Sequence, residues 1–140
     1  MPQPEILDAR IVPATPRDGL VTLAHVIYAL HAFAVLSGVL TSATVVGSFV
    51  SGLPSIVAVI LNYLKRSEVR GTWLDSHFRW QIRTFWFALL WILAALMLAF
   101  TLVGIPLAVI LMAGAGLWVI YRVVRGWLAL GDRRPMPMPE

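Results

Sequence analysis

The chain has 140 residues, enough for one domain, with 59% hydrophobic and only 13% charged residues; soluble domains run at roughly 45–50% and about 25%. A mean hydropathy of +0.82 excludes an aqueous globular core and implies an integral membrane protein. The net charge of +4 does not point to nucleic acid, because every lysine and arginine lies outside the apolar blocks or at their ends, as membrane topology requires.

Residues 1–19 carry Pro2, Pro4, Pro13 and Pro16 among mixed charges. Proline at that spacing blocks helical hydrogen bonding and predicts a disordered cytoplasmic arm, with Asp18–Gly19 as a cap for the first helix. Glu5 and Asp8 occupy the place of a basic n-region, so insertion is expected to rely on the first span as an uncleaved anchor.

From Leu20 to Leu64 no side chain carries a full charge. About 20 residues span a bilayer core, so two helices are required. A break at Leu40–Ala43 gives spans of about 21–40 and 44–64, with Pro54 kinking the second. The rival break, Gly47–Leu53, would put Pro54 at the first position of a shorter helix.

Next comes a polar connector, in which Ser67–Glu68 can start a short surface helix interrupted at Gly71, and Asp75 or Ser76 can cap the next helix. A third span is predicted at about 78–100. A tight turn over Thr101–Pro106 leads to a fourth at about 105–121. The stretch YRVVRGWLAL is expected to lie on the membrane surface. The predicted transmembrane domain is 20–130, and 131–140 is expected to be a disordered, proline-interrupted tail.

The arm, the connector and the C-terminal segment hold every lysine and arginine, and the loops near residues 42 and 103 hold none. The positive-inside rule then predicts four spans with both termini and the connector cytoplasmic. The expected fold is all-α: an integral membrane four-helix bundle, N-in and C-in, with a short interfacial connector.

Thr44, Ser48, Ser51, Ser55, Ala58 and Asn62 recur at alternating spacings of four and three, keeping one side of the second span small or polar. Close helix packing is the favoured reading; a polar path for a solute is the sharper one. Gly104, Ala108, Met112, Ala115 and Gly116 repeat the theme on the fourth span. His25 and His31 lie six residues apart and point about 120° away from each other, so they cannot share a metal. Tyr28, three residues from each, can bond one of them.

On the third helix His77, Trp80, Gln81, Thr84, Ala88, Trp91 and Ala95 share one side, expected to pack inward. Arg79, Arg83 and Trp86 share the other, with both arginines snorkelling to lipid phosphates. Anchoring explains most of this. The polar group His77, Arg79, Trp80, Gln81 and Arg83 is also the candidate contact for a lipid headgroup or a partner segment. The chain has no cysteine, which removes disulfides, thiol catalysis and thiolate metal sites. No nucleophile motif, HExxH or phosphate-binding glycine loop is present, and no metal, cofactor or enzymatic activity is expected.

Asn62-x-x-Lys65-Arg66, Glu68-Val69 and His77-x-Arg79-Trp80-Gln81, ahead of an apolar span, resemble small bacterial membrane proteins of unknown function related to the four-helix Tic translocon subunit of the chloroplast inner envelope. The resemblance covers roughly residues 22–128, and the connector is its most specific part. It implies a four-helix protein of the bacterial inner membrane with cytoplasmic termini. In the plastid relative the implied role is protein import, and no catalytic residues come with it. The resulting expectation is a non-enzymatic subunit or accessory factor of a membrane complex, in contact with lipid and with a membrane-protein partner or another copy of itself. The alternatives are a small solute transporter or channel, or an anionic-lipid-binding protein.

Overall fold

The computed structural model describes residues 14–41 and 45–138, with side chains in the second helix described from Ser51 onward. Four helices make up nearly all of it: α1 (Asp18–Thr41), α2 (Val45–Val69), α3 (Leu74–Ala99) and α4 (Gly104–Gly131). Helices α1, α3 and α4, of 24, 26 and 28 residues, are each long and apolar enough to cross a membrane. At 1.5 Å per residue they reach about 36–42 Å, against a hydrocarbon core of about 30 Å.

The break between α1 and α2 falls where the longer-span reading placed it, and the rival turn at Gly47–Leu53 lies inside α2. Pro54 also lies within α2, where it removes one backbone donor from the helical ladder. Two connector expectations are corrected. No separate surface helix starts at Ser67–Glu68, because α2 continues unbroken through Val69. Gly71 then reverses the chain at φ +76, a conformation that costs glycine little. Neither Asp75 nor Ser76 caps α3, whose cap position is Trp73 and which has no side-chain cap bond. Asp75 instead binds Arg79 at 2.9 Å, and Ser76 donates to the Trp73 carbonyl at 2.7 Å. The fourth helix runs ten residues beyond the predicted end of its span, to Gly131. YRVVRGWLAL therefore continues α4 with one face turned inward: Val123, Gly126 and Leu130 are buried, while Tyr121, Val124 and Leu128 are exposed.

Helices α1 and α2 pack antiparallel. His31 bonds Ser55 at 3.0 Å, while Gly38, two turns further along α1, faces Ser51. Helices α3 and α4 form a second hairpin. Its turn is closed by Thr101, whose hydroxyl donates to the Leu98 carbonyl and accepts from the Gly104 amide at 3.0 Å. A Cβ on Gly104 would collide with the Leu98 carbonyl and the Thr101 hydroxyl, so backbone occupies the space that a side chain needs.

The main apolar core lies toward one end, where Leu20, Ala24, Ile27, Tyr28, Val69, Leu74, Phe78, Val123 and Leu130 cluster. Toward the other end the buried residues are mainly small ones (Ala34, Ser51, Ala95 and Ala108), while Leu40, Met97, Phe100, Leu102 and Val103 are exposed. Small residues let helices approach where solvent gives no hydrophobic drive.

The core end also gathers the chain's outer segments. The Ala14 amide donates to the Gly71 carbonyl at 3.2 Å, and Arg17 reaches Glu68 at 2.9 Å. Lys65 holds the other Glu68 oxygen at 2.7 Å. The arm's last residues, 14–17, thus lie against the connector, and residues 1–13 of the expected arm lie outside the described residues. The hydrogen bond from Lys65, reinforced by the charges of Lys65 and Arg17, holds the Glu68 carboxyl below its ordinary range. A depressed folded value means that the attachment is complete above the unfolded carboxylate range and is lost as pH falls through the folded value. A spin label on the single cysteine of Ala14→Cys should therefore gain mobility only in acid, below the ordinary carboxylate range, and stay constant near neutrality. Loosening centred near neutral pH would assign the attachment to another group.

The segment after α4 also departs from the expected free tail. Arg133 adopts φ 53, turning the chain back over α3 as far as the described residues extend, to Met138. The Met136 amide donates to Ser76 Oγ at 2.8 Å, and the Met136 side chain is buried. We call residues 132–138 the strap.

Candidate functional site

His77 is the centre of the cationic end. It lies on the first turn of α3 and is fully buried, with Nε2 2.7 Å from the Arg134 carbonyl and Nδ1 3.0 Å from the Tyr28 hydroxyl. A carbonyl only accepts, so Nε2 carries the proton. In a neutral ring Nδ1 is then the acceptor and Tyr28 donates to it. Trp73 and Tyr28 both pack edge-on to the imidazole. One side chain therefore ties α1, α3 and the strap together.

Gln81, one turn on, is also buried and donates to the Ala24 carbonyl of α1 at 3.3 Å. Gly126 of α4 forms the remaining wall: a Cβ there would lie 2.7 Å from Cε1 and Cζ of Tyr28 and closer still to its hydroxyl. Nearby, Trp127 donates its indole N–H to His25 Nδ1 at 2.9 Å, pinning α4 to α1.

Trp80 and Thr84 face α4, where Arg122 clasps them. Its Nε donates to Thr84 Oγ1 at 2.7 Å, a terminal nitrogen donates to the Trp80 carbonyl at 3.2 Å, and the guanidinium lies 3.5 Å from the centre of the Trp80 ring. The indole N–H returns the contact, donating to the Arg122 carbonyl at 3.0 Å. A planar fork that stacks while donating to two acceptors needs arginine, since lysine offers only a point charge.

Arg79 and Arg83 are exposed, as is Trp86, on the side of α3 away from His77. Trp91, grouped with the inward face by its spacing, is 41% exposed. The structure therefore divides the five candidate contacts: His77 and Gln81 are interior, Trp80 is half-buried under Arg122, and the two arginines are outside.

Of the α2 stripe, Ser51, Ala58 and Asn62 are buried and Ser55 bonds His31. Thr44 and the Ser48 side chain lie outside the described residues. Asn62 is fully enclosed, yet neither of its amide atoms has a hydrogen-bond partner, and Gln81 Oε1 and His31 Nε2 are likewise unpaired. On α4 the proposed stripe extends only in part, because Met112 is exposed and open space surrounds Gly116. The close contact is Gly126 instead.

Sequence reasoning did not find Tyr28 as the partner of His77, nor the clasp by Arg122, nor the seat at Gly126. Tyr28 is paired across 49 residues with His77 rather than with its local neighbours His25 or His31. Helical spacing carries no signal for that pairing. A lone glycine within a helical pattern does signal close packing, and Gly126 carried that signal. No group of three His, Asp or Glu side chains able to hold a metal occurs among the described residues.

No protein-family model matches the chain, and neither a curated protein nor a solved structure matches it.

Proposed function

We propose that this is a non-enzymatic, four-span protein of the bacterial inner membrane that serves as a subunit or accessory factor of a membrane complex. The closed cationic end carries the proposal. His77 is sealed by Tyr28, Trp73 and the strap, so that among the described residues no polar path opens between the helices at His77, which suits a rigid docking element better than a conduit. Both termini and the connector are proposed to face the cytoplasm. That orientation is supported by the gathering of Arg17, Glu68, His77 and Arg134 at one end, opposite the uncharged 100–103 turn. Kinship with the Tic-related bacterial proteins, and a role in translocation or assembly, belong to the same proposal and rest on the connector residues.

Transport is the second reading, favoured by the unpaired atoms of Asn62, Gln81 and His31 inside the packed helices. Unsatisfied buried polar groups are costly and ask for an explanation. Mild-detergent extraction of the tagged chain from its own membranes is expected to recover a stoichiometric partner, and the pure protein in proteoliposomes should pass no solute above the empty-vesicle rate. Solute flux from pure protein, with no partner recovered, would replace the first reading with the second.

A further inference from the structure

We propose that Arg66, Arg79 and Arg83 form a site for the phosphate of an anionic lipid headgroup. This inference does not depend on the complex-subunit reading. Arg66 comes from the last turn of α2, and Arg79 and Arg83 come from successive turns of α3. The three line one cavity of about 250 Å³, completed by Ile82 and by Met138 of the strap. Among the described residues, no carboxylate lines the cavity. Arg79 has a carboxylate neighbour, Asp75, at 2.9 Å, whereas Arg66 and Arg83 have no ion pair or hydrogen bond among the described residues. Guanidinium groups gathered at a low-dielectric boundary repel one another, and a phosphate that accepts from several of them offsets the repulsion.

The position of the cavity selects a lipid over a soluble anion. One helical turn further along each helix, at three-residue spacing from Arg66 and Arg83, Tyr63 and Trp86 face each other, and the indole N–H donates to the Tyr63 hydroxyl at 2.9 Å. Both rings are about half exposed, as aromatic side chains are at the bilayer interface. Beyond them Ile56 and Ile60 on α2 and Leu90 on α3 are exposed. Cations, then an aromatic pair, then bare aliphatic surface is the order in which a phospholipid presents its phosphate, glycerol backbone and acyl chains. Ile82 and Met138 give the cavity apolar walls, and these suit a headgroup attached to a hydrophobic body.

The test equilibrates purified, delipidated protein with mixed micelles containing equal phosphatidylglycerol and phosphatidylcholine, and measures the lipid retained by mass spectrometry. Wild type should retain phosphatidylglycerol preferentially, and the preference should fall as salt rises. Arg66→Gln/Arg83→Gln should bind the anionic lipid at least about tenfold more weakly, since charge-assisted bonds are lost. Arg70→Gln/Arg125→Gln removes the same charge from exposed positions outside the cavity and should retain it. Equal recovery of the two lipids by wild type, or undiminished retention by Arg66→Gln/Arg83→Gln, would overturn the site. Displacement of the lipid by millimolar inorganic phosphate would overturn the lipid assignment in favour of a soluble anion. The salt titration uses wild-type protein alone, so the proposal can fail even if a variant does not fold.

Discussion

His77→Leu is expected to lower the thermal midpoint in mild detergent by more than about 5 °C, corresponding to roughly 2–4 kcal/mol. Leucine is close to the volume of the imidazole, so packing is largely kept and the loss is polar. The Tyr28 hydroxyl, with the ring 1% exposed, is left without its 3.0 Å partner, and a buried unpaired hydroxyl costs about 1–3 kcal/mol. The Arg134 carbonyl loses its 2.7 Å donor. Water can partly replace that donor, because Arg134 is exposed, so the second loss should appear as release of the strap. Trypsin cleavage after Arg133 reads that release directly and should be faster in His77→Leu than in wild type. Tyr28→Phe makes the result interpretable. Removing both partners of a buried bond costs less than removing one, so adding Tyr28→Phe to His77→Leu should restore part of the lost midpoint. An unchanged midpoint together with unchanged cleavage would mean that His77 does not hold the strap.

The parts legible in the sequence were those governed by periodicity and by the energetic penalty of charge in lipid. Uninterrupted apolar runs placed the helices, and the turn between α1 and α2 came from the length that a bilayer requires. The 3.6-residue repeat put His77, Gln81 and Thr84 on one side of α3 and Arg79 and Arg83 on another, because side-chain direction along a helix is a local property. Which groups meet across helices is not local. His77 finds Tyr28 and Arg134, and Trp80 finds Arg122, through helix registers that no single helix encodes. The surface helix expected over YRVVRGWLAL shows the same limit. Arg122 and Arg125 read as the end of a span by composition, but a cation stacked on Trp80 with two acceptors in reach can sit within a packed helix, and α4 continues past it. The strap was unreadable for a further reason: its attachment uses the backbone carbonyl of Arg134 and the backbone amide of Met136, and every residue but proline supplies both groups.

Gly126→Ala tests the contact between α4 and α1, and here the direction of the effect is as informative as its size. In an unconstrained helix alanine is favoured over glycine by about 1 kcal/mol, so the exchange should stabilise wherever a methyl has room. Gly114 lies on the same helix with nothing within 4 Å of an added Cβ, and Gly114→Ala is expected to be neutral or stabilising. At Gly126 the methyl would come within 2.7 Å of two Tyr28 ring carbons. Tyr28 cannot withdraw cheaply, since it is buried on all sides and bonded to His77. Overpacking of this kind costs about 1–3 kcal/mol, which offsets the propensity gain and should leave a net loss of up to about 2 kcal/mol. Because the hydroxyl is the nearest atom, Tyr28→Phe should suffer less from Gly126→Ala than wild type does, and the two changes should couple rather than add. The loss should also reach His77, since displacing Tyr28 breaks the bond that closes the cationic end; faster cleavage after Arg133 in Gly126→Ala would show this. Equal midpoints for Gly126→Ala and Gly114→Ala would mean that Tyr28 has room to move, and the close approach of α4 to α1 would then owe nothing to the glycine.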